Sequence, residues 1–404
     1  MRKLASVVTV EKVWNLEGKD RVQGCSFKEN SYEAMVSKDI KENDLVIFIQ
    51  EGSILPLTQT WKFLEKRCYR EGLNGYLIVP QKFAQIKSWG LVVTPEQAGL
   101  KPDFLFSGFD VTDLLEIRKY ETEVEPAQKK SKLHPFVQFC LSHKLTRRLG
   151  ELLLHRSSKP TQDVFPTDVI AKSDETTLQN LKGVLDKYAE YPVYTTVKME
   201  GQSVTFLHEN KNGKPGKFYV CSRNVAYKKD NGNTLWQVAK KLQIEKKLKD
   251  FYEETGLMIV LQGELCGPGI QSNIYNFDDY RFFVYTVKEQ KSDTQVSFVD
   301  FKYIAKRLGL ESVPVLDEWR AMKKLLPDVE TAEEYARTTY WRRDSLKHLP
   351  NEREKLWKDY FQHEGVVVRT IPYDKSKNIG CSFKIKNIEY QEKTLKAIHD
   401  LASK

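Results

Sequence analysis

The first 110 residues of the chain contain five short runs that read as β-strands, separated by turn-forming clusters such as Lys41-Glu-Asn-Asp44. The predicted strands cover residues 6–10, 32–36, 45–49, 75–79 and 90–94. Short strands bounded by polar turns are typical of antiparallel β-domains. About five of them in about 100 residues suit a small closed barrel, and the OB-fold is such a barrel among nucleic-acid-binding proteins. We therefore predict an N-terminal OB-fold domain over residues 1–110.

The pattern changes after residue 110. A charged stretch over residues 121–132 precedes apolar residues at near-helical spacing over residues 136–155. We therefore predict a linker with a helical insertion over residues 111–160. Arg147 and Arg148 on this helix fit either an RNA contact or a solvated face.

Residues 161–404 mix strand-like and helix-like patterns, which predicts an α+β domain. The predicted strands cover residues 194–199, 218–220, 258–265, 282–287, 365–369 and 382–385. Apolar residues from Leu235 to Phe251 recur at helical spacing and predict one long amphipathic helix. At 404 residues the chain is long enough for two such domains, so the predicted fold is multidomain.

Composition narrows the class of protein. The net charge of +9 suits either solubility or a polyanionic partner, and charge alone leaves both open. The apolar runs are too short to span a bilayer, and the N-terminus lacks the apolar core of a secretory signal. Six scattered cysteines form neither a zinc-ligand pattern nor a disulfide framework. We expect an intracellular protein, cytoplasmic or nuclear, with reduced cysteines, no membrane association and no evident obligate protein partner.

The first chemical signal is the motif Lys198-Met-Glu-Gly201, which follows a strand-like run. A neutral lysine amine is a covalent nucleophile, and a carboxylate two residues later can face a metal ion or its waters. Glycine then lets the backbone approach a nucleotide closely. The motif alone also fits an ordinary surface turn.

Further segments follow this motif in a fixed order. Their positions are 222–224 (Ser-Arg-Asn), 262–273 (a glycine-rich loop), 281–285 (an aromatic strand), 363–369 (a strand opened by a carboxylate) and 382–386 (a strand with two lysines on one face). Together with Lys198-Met-Glu-Gly201, the set resembles the covalent nucleotidyltransferase superfamily of DNA ligases, RNA ligases and mRNA capping enzymes. The resemblance implies an ATP-grasp-like ligase domain over residues 161–404.

The order of the domains favours one branch of that superfamily. DNA ligases and capping enzymes carry an OB-fold after the last lysine motif, whereas here the barrel-like segment comes first and Lys386 stands near residue 404. That order is similar to the RNA ligases typified by the Deinococcus and Naegleria enzymes. Local matches include Gly52-Ser-Ile-Leu-Pro56 and Lys172-Ser-Asp-Glu175. The alternatives are a DNA or mixed-strand ligase, and a nucleic-acid-binding protein with a decayed nucleotidyltransferase domain.

The resemblance implies a role for each motif residue. Lys198 is the nucleophile that forms lysyl-AMP from ATP. Glu200, Glu364 and Asn233 are the candidates to hold Mg²⁺ or Mn²⁺ through its waters. The implied nucleotide ligands are Glu200, Gly201, Arg223, Glu264, Phe282 (stacked on adenine in preference to Phe283), Glu364, Lys384 and Lys386. The implied partner is RNA with 3′-hydroxyl and 5′-phosphate ends, including a nicked duplex, and the implied process is RNA repair.

Two residues depart from the family pattern. Thr177 stands where the family has an arginine for the β- and γ-phosphates, and Thr286 stands where an aspartate is common. We also expect the barrel to serve mainly the sealing step, because the sequence places the ATP pocket wholly within residues 161–404.

Overall fold

The computed structural model of the chain describes residues 3–83, 86–120, 162–167, 169–172, 175–227, 230, 232–342, 360–374 and 378–390. The strands are β1 Ala5–Asn15, β2 Val22–Phe27, β3 Glu33–Ser37, β4 Leu45–Gln50, β5 Ser53–Leu55, β6 Tyr69–Arg70, β7 Gly75–Leu77, β8 Gln81–Phe83, β9 Ile86–Ser88, β10 Gly90–Val93, β11 Arg118–Lys119, β12 Gln162–Val164, β13 Pro192–Val197, β14 Gln202–Lys211, β15 Lys214–Cys221, β16 Val225–Tyr227, β17 Ile259–Cys266, β18 Arg281–Glu289, β19 Thr294–Gln295, β20 Glu311–Ser312, β21 Val315–Ala321, β22 Tyr340–Arg342, β23 Tyr360–Gln362, β24 Gly365–Thr370 and β25 Ser382–Lys386. The α-helices are α1 Glu65–Cys68, α2 Val184–Lys187, α3 Thr234–Lys241, α4 Ile244–Thr255, α5 Phe298–Arg307, α6 Met322–Leu325 and α7 Val329–Thr338.

The N-terminal unit is a nearly closed antiparallel barrel of five strands in the order β10-β4-β1-β2-β3. The backbone N–H of Trp89, beside β10, donates to the carbonyl of Glu33 on β3 at 3.1 Å and helps to close the circle. Alternate residues of β4 point to opposite faces, so Val46 and Phe48 join the interior cluster, whereas Ile47 joins a second layer outside the barrel. This double burial explains the unbroken apolar run along β4.

Two predictions about this unit need correction. The barrel uses β2, which the sequence did not predict, whereas β7 pairs in a separate small sheet with β5 and β6. A glycine within β2 reads as a turn, but Gly24 leaves space for the Trp14 ring of β1, which an added Cβ would meet at 2.3 Å. The unit also extends past residue 110, since β11 pairs with β5 and Val111 packs in the outer layer.

The second unit contains two main sheets. The larger sheet has the order β12-β16-β15-β14-β17-β18-β19, and β20 pairs with β18. The smaller sheet has the order β21-β13-β24-β25. Helices α3, α4 and α5 bury their apolar faces against one side of the larger sheet. Helices α6 and α7 cover one side of the smaller sheet.

The predicted long helix is two helices. Helix α3 ends at Lys241 and α4 begins at Ile244, and Gln243 between them has a left-handed backbone with φ of 54°. The apolar spacing survives the break, because both pieces bury residues against the same side of the larger sheet. Periodicity alone therefore predicted the buried face and missed the turn.

Of the linker and helical insertion predicted over residues 111–160, the part from residue 121 onwards, with Arg147 and Arg148, lies outside the described residues. Within the described part of the chain, no helix is long and apolar enough to cross a membrane.

Candidate active site

Lys198 lies directly after β13, at the edge where three strands of the smaller sheet end together. Its backbone N–H donates to the carbonyl of Gly365 at 2.9 Å, which places it beside the start of β24. Its ammonium forms an ion pair with the carboxylate of Glu364. Both side chains are about one quarter exposed, at 24% and 26%, so the pair is open to a ligand.

Lys384 and Lys386 stand on the same face of the smaller sheet as Lys198. In the register of β24 and β25, Lys386 lies opposite Gly365, and Lys384 lies opposite Val367. Residues opposite each other in an antiparallel pair share a face, and so do residues two apart along a strand. The structure thus brings together the proposed nucleophile and the two lysines that were proposed for the nucleotide.

The segment from Lys198 to Gly201 is held by the loop after β17. The backbone N–H of Ser272 donates to Oε1 of Glu200 at 3.0 Å, and the Tyr275 hydroxyl accepts from the backbone N–H of Glu200 at 2.7 Å. The second carboxylate oxygen of Glu200, Oε2, is buried without a hydrogen-bond partner. A buried carboxylate oxygen in this condition calls for a ligand, a water or a cation.

The structure gives a steric reason for glycine at position 201. A Cβ there would meet the carbonyl oxygen of Leu265 at 2.4 Å and Cγ of Glu264 at 2.8 Å. The close approach of β17 by itself therefore requires glycine. The same contact brings Glu264 beside the Lys198 segment.

Phe282 cannot face the same nucleotide as Glu264, which corrects the prediction for adenine stacking. In the register of β17 and β18, Glu264 lies opposite Phe283, whereas Phe282 lies opposite Leu265 on the other face. Phe282 is 2% exposed and packs edge-on to Phe206 in the core beneath the helices. Phe283, and not Phe282, therefore lies on the Glu264 face. The alternation along a strand shows that the two phenylalanines point to opposite faces, but only the register with β17 shows which of them faces the same way as Glu264.

Thr177, which stands in place of the family's arginine, lies beside Lys384. It forms a parallel bridge with Lys384, and the backbone N–H of Lys384 donates to the Thr176 carbonyl at 2.8 Å. Thr177 is fully buried, and its hydroxyl has no hydrogen-bond partner. A short neutral side chain thus stands beside a predicted phosphate ligand, at the position where the family has an arginine.

Lys386 is paired with a residue of the barrel. Its ammonium contacts the Glu51 carboxylate, and the two residues are 8% and 4% exposed. The sequence placed the ATP pocket wholly within residues 161–404, but a residue of the barrel also contacts the candidate site. Glu51 stands directly before the Gly52-Ser-Ile-Leu-Pro56 match, but no local pattern pointed to its partner.

Two further predicted ligands lie on or beside the larger sheet. Asn233 is the N-cap of α3, where its Oδ1 accepts from the backbone N–H of Trp236 at 2.9 Å. Arg223 is half-buried in the turn between β15 and β16, and the neighbouring Asn224 accepts from Lys172 Nζ at 2.8 Å. Capping accounts for the side-chain oxygen of Asn233 without a cation.

Arg369 is a buried residue at the end of the motif at residues 363–369, and the sequence analysis assigned it no role. It is on the same face as Lys198, and its guanidinium donates to Glu175 at 2.8 Å and to the Tyr285 carbonyl at 2.9 Å. Burial by itself lowers the pKa of Arg369, but the Tyr194 hydroxyl and the Glu175 carboxylate outweigh it and raise the pKa above its ordinary value. Arg369 therefore ties the smaller sheet to β18 as a permanent cation.

The donor set suits one kind of cation. Across the described residues, no group of three or more histidine, cysteine, aspartate or glutamate side chains is placed to hold a metal ion. The unpartnered Oε2 of Glu200 and the open carboxylate of Glu364 instead suit a cation that keeps most of its waters, as Mg²⁺ does. Glu200 belongs to the Lys198 segment, and Glu364 pairs with Lys198.

Comparisons with known proteins agree with the resemblance that the sequence motifs indicated. Residues 191–386 match the family model described as RNA ligase, and this span contains Lys198, Glu364, Lys384 and Lys386. The match falls in the part of the chain where the motifs predicted a ligase domain. No curated protein matches the chain.

The structural relatives include several forms of the RNA ligase of Naegleria gruberi. A lysine-to-alanine variant with ATP and Mn aligns with a TM-score of 0.71 at 19% identity, over 98% of this chain and 98% of that one. The form with pyrophosphate gives 0.71 at 19% identity over 97% and 99%, and a variant with AMP and Mn gives 0.70 at 19% over 97% and 99%. The predicted resemblance to RNA ligases of the Naegleria type is confirmed at the level of the fold over almost the whole chain.

Proposed function

We propose that the protein is an ATP-dependent RNA ligase that joins a 3′-hydroxyl end to a 5′-phosphate end. The observation that carries the proposal is the meeting of Lys198, Glu364, Lys384 and Lys386 at one edge of the smaller sheet. A nucleophilic amine, a carboxylate and two further cations are the groups that a phosphoryl transfer requires, because such reactions depend on positioning and charge neutralisation.

The proposed reaction has three steps. In the first, Nζ of Lys198 forms a bond to the α-phosphorus of ATP, and the bond to pyrophosphate breaks. In the second, a 5′-phosphate oxygen of RNA takes the AMP and frees the lysine. In the third, the 3′-hydroxyl forms the new phosphodiester bond at the 5′-phosphorus, and AMP leaves.

The residues of the smaller sheet fit these steps. Lys384 and Lys386 neutralise the oxygens of the α-phosphate, since both stand on the face of Lys198. Glu264 lies beside the Lys198 segment and contacts the ribose or a cation-bound water. Phe283 shares the Glu264 face, but its ring is fully buried and stacked on Phe277, so no phenylalanine is assigned to adenine. Gly201 gives the backbone room, and Arg223 remains a candidate for a ribose or phosphate contact.

We propose Mg²⁺ or Mn²⁺ as the required cation. Glu200 and Glu364 are the carboxylates that would hold its waters, while Asn233 is a weaker candidate because it caps α3. A divalent cation would supply charge neutralisation at the α-phosphate when bound. ATP and Mn occur together in similar structures of the Naegleria gruberi enzyme, which supports this choice.

We further propose that the N-terminal barrel is an OB-fold domain that binds RNA. Five antiparallel strands and a nearly closed circle are the features that support it. Such a surface can follow a phosphate backbone and stack bases, and the basic excess of the chain suits that partner. A role in sealing nicks during RNA repair agrees with this architecture.

The substrate decides between the proposal and its alternatives. A DNA or mixed-strand ligase would share the same three steps, and the 2′-hydroxyl at the nick separates it from an RNA ligase. A nucleic-acid-binding protein with a decayed domain would keep the fold and acquire no covalent AMP. The intact group of Lys198, Glu364, Lys384 and Lys386 favours an active enzyme.

Two measurements test the proposal. The full-length chain is incubated with α-labelled ATP or GTP, with a divalent cation or with excess chelator, and covalent label is quantified. It is then offered nicked duplexes with ribose or deoxyribose on each side of the nick. We expect label from ATP with the cation, and sealing that requires ribose at the 3′-hydroxyl side. Equal labelling by GTP would point to a capping-type activity, and the absence of label would point to a binding protein.

A further inference from the structure

The barrel and the last strand of the smaller sheet meet at the predicted phosphate site. Ile388, two residues after Lys386, is 4% exposed and packs in the interior cluster of the barrel with Phe48 and Trp89. The strand that carries Lys384 and Lys386 therefore continues directly into the barrel core.

Further contacts fix the barrel against the segment that precedes the smaller sheet. The backbone N–H of Ser31 donates to the Gln179 carbonyl at 2.8 Å, and Gln50 Nε2 donates to Asn180 Oδ1 at 3.0 Å. Lys182 pairs with Glu11 at 2.7 Å. These residues follow Thr177, which forms a bridge with Lys384. The barrel therefore contacts both the segment after Thr177 and the end of β25, which carries Lys384 and Lys386.

Glu51 is a charged barrel side chain that reaches a predicted phosphate ligand, Lys386. It follows β4, and its backbone N–H donates to the Trp89 carbonyl at 3.1 Å. One carboxylate oxygen, Oε1, contacts Nζ of Lys386, and the other, Oε2, is buried without a hydrogen-bond partner. A carboxylate this deeply buried is costly unless it is paired, so the contact with Lys386 accounts for its charge.

We infer that Glu51 is a positioning residue of the nucleotide site, and that the barrel thereby takes part in the adenylylation of Lys198. An ammonium group has three donors, so Lys386 can keep its bond to Glu51 and direct another N–H to a phosphate oxygen. Without the Glu51 carboxylate, the flexible side chain of Lys386 can adopt several orientations. This inference rests on the proposed function, since it assigns Glu51 to the same reaction, and it replaces the expectation that the barrel serves only sealing.

The test uses the full-length chain and single-turnover adenylylation with labelled ATP. Glu51→Gln removes the charge but keeps the shape, and Glu11→Gln is the matched control because it removes another barrel carboxylate that contacts the second unit. We expect Glu51→Gln to slow adenylylation by about 100-fold, the order expected for a displacement of about 1 Å. Glu11→Gln should stay within about twofold of the wild type, since exposed ion pairs contribute little. A Glu51→Gln rate within that same range, or one faster than wild type, would overturn the inference.

A double-mutant cycle separates positioning from a purely structural role. If Glu51 acts through Lys386, Glu51→Gln should have almost no further effect in a Lys386→Ala background, because coupled residues are not additive. If the rate of the double variant is instead reduced by the product of the two single effects, Glu51 acts on general stability and the inference is overturned. If Glu51→Gln does not fold, Glu51→Asp keeps the charge and shortens the side chain by one methylene. It should show an intermediate rate, and a wild-type rate for folded Glu51→Asp would count against positioning.

A binding measurement keeps this inference distinct from the proposed function. Calorimetry with α,β-methylene-ATP reports nucleotide affinity without chemistry, and Glu51→Gln should weaken it about tenfold or more. If the wild type acquires no AMP, the proposed ligase activity fails, while the binding comparison still decides the role of Glu51. If the wild type is labelled and both arms are unchanged in Glu51→Gln, only the Glu51 inference fails.

Discussion

The ammonium of Lys198 and the carboxylate of Glu364 form an ion pair between the end of β13 and the start of β24. A lysine amine attacks phosphorus only in its neutral form. Glu364 is also a candidate ligand for the divalent cation, so binding of the cation there would compete with the ion pair and release the Lys198 side chain towards the nucleotide.

Replacement of Lys198 should abolish covalent labelling and leave RNA binding largely intact. Lys198→Ala removes the nucleophile, whereas affinity for RNA comes from the barrel and the basic surface. The measurements are acid-stable AMP labelling and RNA binding by filter retention. Lys211→Ala is the control, because that lysine is exposed at the end of β14. Labelling of Lys198→Ala at another lysine would move the nucleophile elsewhere.

Glu364→Gln should lower the rate of adenylylation on the order of 100-fold, as the loss of one preorganised electrostatic group commonly does. The change removes both the charge beside Lys198 and a ligand for cation-bound waters. The rate is measured as a function of Mn²⁺ concentration, and we expect a higher cation requirement as well as a lower maximum. Glu318→Gln serves as the control, since Glu318 pairs with Lys302 on the surface. An unchanged cation requirement would remove Glu364 from the proposed cation site.

Asn233→Ala should reduce stability more than it reduces activity. Loss of an N-cap costs about 1 kcal/mol, and Asn233→Asp should cost less because aspartate also caps helices. Stability is measured by urea denaturation, and activity by AMP labelling under conditions where each variant is folded. We expect labelling within about threefold of the wild type for both variants, since 1 kcal/mol of lost stability leaves a folded enzyme. A loss as large as that of Glu364→Gln would return Asn233 to the cation site.

Arg369→Met should destabilise the protein by about 3–5 kcal/mol, because it leaves Glu175 and several buried acceptors without their donor. Arg320→Ala is the matched control, since Arg320 is half-exposed and pairs with Asp317 at 3.0 Å. Its removal should cost less than about 1 kcal/mol. The free energy of unfolding from urea titration checks both values. Equal costs would mean that the buried network contributes no more than a surface pair.

Thiol ionisation predicts a loss of stability at alkaline pH. Burial raises the pKa of Cys25, Cys221 and Cys381 from 9.0 to about 12. The unfolded chain loses these protons from about pH 9, whereas the folded protein keeps them, so stability is full below pH 9 and falls as the pH rises towards 12. Because the thiolate is the reactive form, these cysteines should resist iodoacetamide at pH 8 until the protein is unfolded. Peptide mapping by mass spectrometry measures the modification, and rapid modification of the folded protein would contradict their burial.

The order of the motifs was readable from the sequence because each motif is a local feature of one strand or turn. The resemblance of the ordered motifs to a known superfamily implied roles for Lys198, Glu364, Lys384 and Lys386. Period two placed Lys384 and Lys386 on one face of their strand. Each strand that the apolar runs predicted overlaps an observed strand, whereas several other strands, β2 among them, were not predicted. Side-chain type, strand periodicity and turn chemistry carry that information.

What required the tertiary structure is every relation between distant segments. Register between β17 and β18 placed Phe283, and not Phe282, on the Glu264 face, because a face is defined only against a partner strand. The steric need for Gly201 came from Leu265, and the left-handed turn at Gln243 divided a helix that periodicity had joined. The ion pair of Glu51 with Lys386 joins residues that are far apart in the chain, and only the docking of the barrel on the end of β25 brings them into contact.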